Sequence, residues 1–258
     1  YICKECGKRF TALTNTIFDS KKIPISEWIE YLLHLFEFHS INSTAYDNRN
    51  SPTTGKYWLI KTFEVLKGIQ NDVVLDGTVY LDETYFTKVR SKLVTKDGKK
   101  LRGISRNKIG VGVACNETKS IFIVTGTSKP SRKSTKETYS QHIARGSVLV
   151  HDDEHSHSIL IEELELESIV YPTAETKELS DKDNPLYPVN NLHLLLKQFI
   201  RNHGAYDREH LQDWLNLFWF IMNEPKDKYD KVLKFIEMAV LSPKKVRYRD
   251  AMSSKHSK

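Results

Sequence analysis

The hydrophobic period changes at Val73, and that change confines the chain to a two-part α/β protein. Before it, "ISEWIEYLLHLFEFH" carries apolar residues at 25, 28, 29, 32, 33, 35 and 36, the stripe of an amphipathic helix. After it, "VVLDGTVYLDETYF", "KIGVGVACNE" and "KSIFIVTGTS" read as strands, the last two joined by the turn "NETK". "TKETYSQHIARG" reads as a short helix ended by Gly146. "SVLV", a helix over "SILIEELEL" and the short strand of "SIVYPTAETKEL" then give a β-α-β order. "NNLHLLLKQFIRNHG" and "REHLQDWLNLFWFIMN" return to the helical period. Antiparallel strands followed by β-α-β predict a mixed sheet flanked by helices, preceded by a small helical domain.

Within the helical part, Ser26 is a candidate N-cap with Pro24 just before it. Ser43 can open a short helix, "SPTT" interrupts it, and Thr53 or Thr54 can cap a longer one running to Leu66. Short helix, turn, longer helix is the order of a helix-turn-helix. On that reading Lys56, Tyr57 and Lys61 lie near the start of the second helix as DNA contacts. The competing reading is a plain three-helix packing unit.

The formal net charge is +6, which suits a polyanionic partner. The charge is uneven. "KVRSKLVTKDGKKLRGISRNK", 88–108, is dense in Lys and Arg with a single Asp, and "KPSRKSTK" follows at 129–136. Arg102, Arg106 and Lys108 are the phosphate contacts expected from the first run. A solvated loop is the alternative. With 39% hydrophobic and 28% charged residues the chain can bury a core. No apolar run reaches the roughly 18 residues that a membrane-spanning helix needs. A cytoplasmic, nucleoid-associated protein without a membrane partner is expected.

Cys3 and Cys6 have C-x2-C spacing with Gly7 directly after, the turn of a zinc knuckle. Tetrahedral zinc needs four ligands, and no second pair exists in this sequence. The segment is expected to be the second half of a zinc ribbon, with Zn²⁺ possible at Cys3 and Cys6. Cys115, in an apolar strand, is expected in the core.

The chemistry is expected at two strand ends. Asp82 interrupts an apolar, aromatic strand, where a carboxylate is costly unless something pairs with it. Asp152 follows "SVLV". Two strand-end carboxylates on neighbouring strands suit hard cations such as Mg²⁺, and two such ions can serve phosphoryl transfer. Glu83 alternates to the other face of its strand and is not expected as a ligand. Asp153 and Glu154 compete with Asp152 by one or two residues of register. His151, His155 and His157 read as a polar loop, His193 as packing or site, and Tyr85, Trp214, Phe218, Trp219 and Phe220 as core.

"YLDETYF", "VLVHDDEHSH" and "YPVNNLHLLLKQFIRNHGAYDREHLQDWLNLFWFIMN", in that order, resemble the DDE-type transposases of bacterial insertion sequences. The branch they are most similar to carries an N-terminal zinc ribbon, a helix-turn-helix and an Asp-Asp-Asn-Lys catalytic set. The resemblance implies a ribonuclease-H-like core and metal-dependent cleavage and transfer of DNA strands at element ends. It implies Asp82, Asp152 and Asn190 as ligands of two Mg²⁺ or Mn²⁺ ions. Lys197, seven residues beyond Asn190, is implied as a phosphate-pairing member of the set. Asn190 departs from the commoner Glu, bringing an oxygen but no charge. Double-stranded DNA, both element ends and target, is the implied partner, with a homodimer or larger assembly when active. The implied divisions are a partial zinc ribbon over 1–22, the helical DNA-binding domain over 23–70, the core over 71–224 and a basic tail over 225–258. A catalytically inactive DNA-binding relative is the alternative.

Overall fold

The computed structural model describes residues 1–19, 23–88, 94–99, 101, 103–180, 182–203, 208–223, 225–242 and 244–252, with only the backbone of Glu209. The chain divides into two compact units. One comprises Tyr1–Lys67 with Phe220–Lys258, the other Gly68–Trp219.

The first unit is helical. Helix α1 (Ile25–Phe36) starts after Pro24 rather than being capped by Ser26. Helix α2 (Ile41–Asp47) is capped by Ser40, whose side chain accepts from the Ser43 backbone N–H. Helix α3 (Pro52–Leu66) is capped by Ser51, which accepts from the Thr54 N–H at 3.2 Å. Both caps lie two or three residues upstream of the expected ones. Each Ser stands at the last extended residue, where a short hydroxyl reaches back to the third residue of the helix. Gly55 allows α3 to lie close on α2, since a Cβ there would meet Ala45 Cβ at 3.0 Å.

The second unit is built on one sheet. Strands β1 (Thr78–Thr87), β2 (Lys108–Cys115) and β3 (Ser120–Thr127) form an antiparallel meander. Helix α4 (Arg132–Tyr139) leads to β4 (Val148–His151), which pairs parallel with β1. Helix α5 (Ser158–Leu164) leads to β5 (Glu167–Val170), parallel to β4. The order across the sheet is β3-β2-β1-β4-β5. That mixed five-stranded sheet with helices packed on it is what the residue pattern predicts, and it matches the ribonuclease-H-like core that the resemblance implies. The short α6 (Thr173–Thr176) precedes α7 (Tyr187–Asn202) and α8 (Leu211–Met222).

One layer of the core joins Val79, Leu81, Ala114, Ile121, Tyr139, Leu149 and Leu160, all fully buried. On α7 and α8, Phe199 packs against Trp214 and Phe218, and Phe218 packs edge-on against Phe122 of β3. The outer edge of β3 is occupied by side-chain amides. Gln70 accepts from Phe122 N–H, and Gln212 accepts from Val124 N–H. An edge so filled offers little to another strand.

Residues 225–242 and 244–252, expected within a basic tail, fold. Helix α9 (Lys228–Leu241) is capped by Asp227 and buries Val232, Phe235 and Ala239 in the first unit, and α10 (Tyr248–Ala251) follows. Its apolar residues recur at helical spacing between lysines, a stripe that the local charge obscures. Phe36, Phe220 and Phe235 pack together there, and Trp28 stacks on Trp58 at 4.4 Å.

Candidate active site

Register fixes the two acids. Strand β1 pairs with β4 in parallel from Thr78↔Val148 to Leu81↔His151. The next residues on the two strands are Asp82 and Asp152, side by side where β4 ends. Residues at equivalent positions of adjacent parallel strands share a face. The spacing of the two motifs in the sequence therefore becomes lateral proximity in the sheet.

Both carboxyls are held by their own backbone. Asp82 Oδ1 accepts from the Glu83 N–H at 2.8 Å, and Asp152 Oδ1 accepts from the Glu154 N–H at 3.1 Å. Burial pushes the Asp82 carboxyl up to about 7, with the negative charges of Asp152 and Glu83 adding to it. Burial raises Asp152 as well, against the pull of His157. The site thus concentrates negative charge that the surrounding groups do not balance.

Helix α7 delivers the third element. His193 Nδ1 lies 3.7 Å from Asp82 Oδ2. Burial, with the nearby charge of Lys197, lowers His193 to about 4, so its imidazole is neutral at pH 7. Its Nε2 is buried and has no hydrogen-bond partner. Asn190 sits one turn before His193 and Lys197 one turn after, all on one face of the helix. Asn190 is half-buried and Lys197 exposed.

Behind the acids lies a network that sequence reasoning missed. Glu83 does point to the opposite face of β1, yet its side chain is only 4% exposed and is a hub. Tyr139 of α4 donates its hydroxyl to Glu83 Oε1 at 2.9 Å. It reaches there across Gly112, the residue of β2 directly opposite Glu83. A Cβ on Gly112 would sit 2.1 Å from that hydroxyl, so glycine leaves the slot. His157 Nε2 lies 3.3 Å from the same carboxylate oxygen, and its Nδ1 lies 3.1 Å from His151 Nδ1 and 3.8 Å from Asp152 Oδ1. His151 Nε2 meets Ser168 Oγ at 3.0 Å. One tautomer set satisfies every link: Ser168 donates to His151, His151 to His157, and His157 to Glu83. Burial opposes charge on His157, but the hydrogen bond and charge of Glu83, with Asp152, outweigh it and raise its pKa. The same burial, with His157 beside it, lowers His151 to about 4. The "HDDEHSH" loop is therefore not simply polar, since His151 and His157 are buried. The only sequence signal for this network is a His six residues from another, which is too common to be decisive.

Asp153 does not take the place of Asp152, since register assigns 152 to the end of β4. Glu154 pairs with Lys129 at 2.6 Å. Asp82, Asp152 and Asn190, the ligands that the resemblance implies, are all oxygen donors, which suits a hard dication; among the described residues the three ligand atoms that converge within 4.8 Å here are those of His151, Asp152 and His157.

The expected DNA contacts fare unevenly. Lys61 is 1% exposed: its ammonium donates to the Ile17 carbonyl and lies 4.8 Å from the Tyr57 ring centre. Tyr57 is buried too and donates its hydroxyl to the Val246 carbonyl at 2.7 Å. Both are interior groups of the first unit, which corrects their reading as surface DNA contacts. Helix α3 buries one side over most of its length. Lys56 is half-buried and Arg106 exposed, while Lys108 donates to Thr87 Oγ1 at 2.7 Å. Arg102 lies outside the described residues. The second basic run is internally paired. Lys129 meets Glu154, Arg132 meets Glu162 at 2.7 Å, Lys133 meets Glu137 at 3.8 Å and Lys136 meets Glu163 at 2.5 Å.

Cys3 and Cys6 do come together. The Cys6 and Glu5 backbone N–H groups, with the Cys6 side chain, lower the Cys3 thiol. Gly7 takes the positive φ of 67° that the turn requires. Among the described residues no His, Asp, Glu or further Cys joins them in a group of three potential ligands. Cys115 is buried, and burial pushes its thiol up to about 12.

No protein-family model matches the chain, and no curated protein matches it. Among solved structures it is similar to a pre-cleavage Mos1 transpososome, at 13% identity over 95% of this chain and 83% of that one, with a TM-score of 0.33. It is similar to the Mos1 strand transfer complex at 15% identity over 95% and 82%, with a TM-score of 0.34. A third is the Mos1 transposase catalytic domain with Raltegravir and Mn, at 16% identity over 74% and 96%, with a TM-score of 0.33. Among the described residues no helix is long and apolar enough to cross a membrane.

Proposed function

We propose that the chain is a DDE-type transposase that cleaves and transfers DNA strands at the ends of an insertion sequence. The observation that carries this reading is the lateral pairing of Asp82 and Asp152 beyond Leu81↔His151, with Asp82 raised to about 7. The sequence resemblance, from "YLDETYF" to the Asn190–Lys197 step, points the same way.

In this mechanism Asp82, Asp152 and the Asn190 amide oxygen would hold two Mg²⁺ or Mn²⁺ ions. Such ions, when bound, lower the pKa of an attacking hydroxyl and offset charge on the leaving oxygen. The chain's own groups do the rest. Glu83, held by Tyr139, orients His157 beside Asp152. His193, neutral at pH 7, keeps its Nδ1 near Asp82 without adding a competing cation. Lys197 pairs with a DNA phosphate, and Arg106 and Lys108 extend the phosphate contacts. With only two negative ligand charges, the scissile phosphate supplies part of the balance. Double-stranded DNA is the partner, and pairing of two ends requires at least a dimer. Lys56 and the α2–α3 pair, read as a helix-turn-helix, are the candidate end-binding surface.

The test is Mn²⁺-dependent strand cleavage of a DNA fragment carrying the sequences that flank the coding region. Asp82→Ala should abolish cleavage while fragment binding persists. Equal cleavage by the variant would falsify the assignment. The neutral Asn190 favours a second reading, an inactive DNA-binding relative, for which the unaltered chain binds the fragment but never cuts it.

A further inference from the structure

A second cluster of ligating side chains lies in the helical unit, and the proposed strand-transfer chemistry does not use it. His34 is in the last turn of α1, and Asp47 is the last residue of α2. Between them Phe38 adopts a φ of 66°, a conformation that non-glycine residues rarely take. That reversal brings His39 back beside His34: the His39 N–H donates to the His34 carbonyl at 3.1 Å, and the ring centres are 5.1 Å apart.

Three ligand atoms converge there. His34 Nδ1 is 3.1 Å from Asp47 Oδ2, His39 Nδ1 is 3.9 Å from it, and all three atoms lie within 4.8 Å of one another. Ligands of one tetrahedral zinc, bonded at about 2.0–2.1 Å, stand ~3.3 Å apart, so small side-chain rotations suffice. Two further observations point to a cation. His39 Nδ1 is buried without a hydrogen-bond partner among the described residues. Asp47 places a carboxylate at a helix C-terminus, where the backbone's partial negative charge disfavours it. Ser43 donates to the same carboxylate oxygen at 3.4 Å and helps to hold it.

We propose that His34, His39 and Asp47 form a transition-metal site, with zinc as its natural ion, that staples the end of α1 to the end of α2. Two imidazoles and one carboxylate select a borderline metal over Mg²⁺, and water completes the coordination. The cation replaces the proton that His34 shares with Asp47 and occupies the position that His39 Nδ1 faces. This site is independent of the transposase reading.

The test uses the full chain carrying Cys3→Ser and Cys6→Ser, so that thiolates contribute nothing. Titration with Co²⁺ and then Zn²⁺ should show one bound equivalent, with weak d–d bands and no thiolate charge-transfer band. His39→Gln should remove that equivalent. Asp47→Asn, which keeps the shape of the side chain, should weaken binding at least tenfold, circular dichroism verifying that both variants fold. Zinc should also raise the melting temperature of the parent but not of His39→Gln. The proposal is overturned if the parent binds no equivalent, if His39→Gln binds as the parent does, or if His157→Ala rather than His39→Gln abolishes binding.

Discussion

Among the described residues there are two clusters of two histidines and an aspartate, and they are built in opposite ways. At the sheet edge, His151 and His157 are buried and their ring nitrogens are engaged, by Ser168, by each other and by Glu83. Only the aspartate, with Asp82 alongside, is left to take a cation. In the helical unit, His34 and His39 are half-buried and Asp47 is exposed, and the His39 Nδ1 has no hydrogen-bond partner among the described residues. On the two proposed readings the same residue types serve an oxygen site for a hard dication in one unit and a nitrogen-rich site for a borderline metal in the other. Hydrogen-bond occupancy, not composition, makes the difference.

The largest effect is expected at the paired acids. Asp152→Ala should lose cleavage by roughly a thousandfold, read as initial rate in Mn²⁺, since half of the acid pair is gone. A loss of tenfold or less would mean that His157 or Glu154 can stand in for it.

The support beneath His157 is the next point to press. Gly112→Ala drives a methyl into the Tyr139 hydroxyl and should cost about 1–3 kcal/mol in urea unfolding. Tyr139→Phe removes the atom in the way and one hydrogen bond to Glu83. In the double variant the penalties should be less than additive, the sign of a shared contact. Strict additivity would detach Gly112 from the network.

A smaller effect lies in the pH dependence of stability. The folded Asp82 holds its proton up to about 7, against an ordinary carboxyl value of 3.8. Between those values the folded chain binds more protons than the unfolded one, so stability declines as pH rises through the window and levels off above it. Its side chain is a quarter exposed, so the effect is on the order of 2 kcal/mol rather than the full shift. Raised Asp152 and His157 act in the same direction. Asp82→Asn should flatten the decline and stabilise the metal-free chain at pH 8, measured by thermal unfolding. Added Mg²⁺ should stabilise the unaltered chain there and leave the variant unmoved.

The smallest effect belongs to the paired basic run. Arg132→Ala breaks an exposed ion pair with Glu162 and should change stability by less than about 1 kcal/mol. DNA affinity should also stay within about twofold, because that guanidinium is already engaged. A large drop in affinity would return this run to the DNA-binding surface.

What the sequence made legible follows from what is local. The apolar runs that carry Asp82 and precede Asp152 are legible, but Asp82, expected at a strand end, lies in the middle of β1; the parallel β1–β4 register, not a shared strand end, sets it beside Asp152. Helix caps were off by two or three residues because Ser40, Ser43, Ser51, Thr53 and Thr54 are all chemically competent. Lys61 looked like a phosphate contact because a buried lysine has no sequence mark. Its carbonyl partner lies 44 residues away. The Glu83 hub depends on the Glu83↔Gly112 register and on a tyrosine 56 residues distant, contacts that only folding makes. Helix α9 was masked by its lysines, although its apolar spacing was present.

The pairing of Asp82 with Asp152 is tested most directly by anomalous diffraction from crystals soaked in Mn²⁺. Density between the Asp82 carboxylate, in the middle of β1, and the Asp152 carboxylate, just past the end of β4, with the Asn190 amide turned toward it, is the predicted result. Manganese bound instead through the His151 and His157 imidazoles, or no manganese at that edge of the sheet, would contradict it.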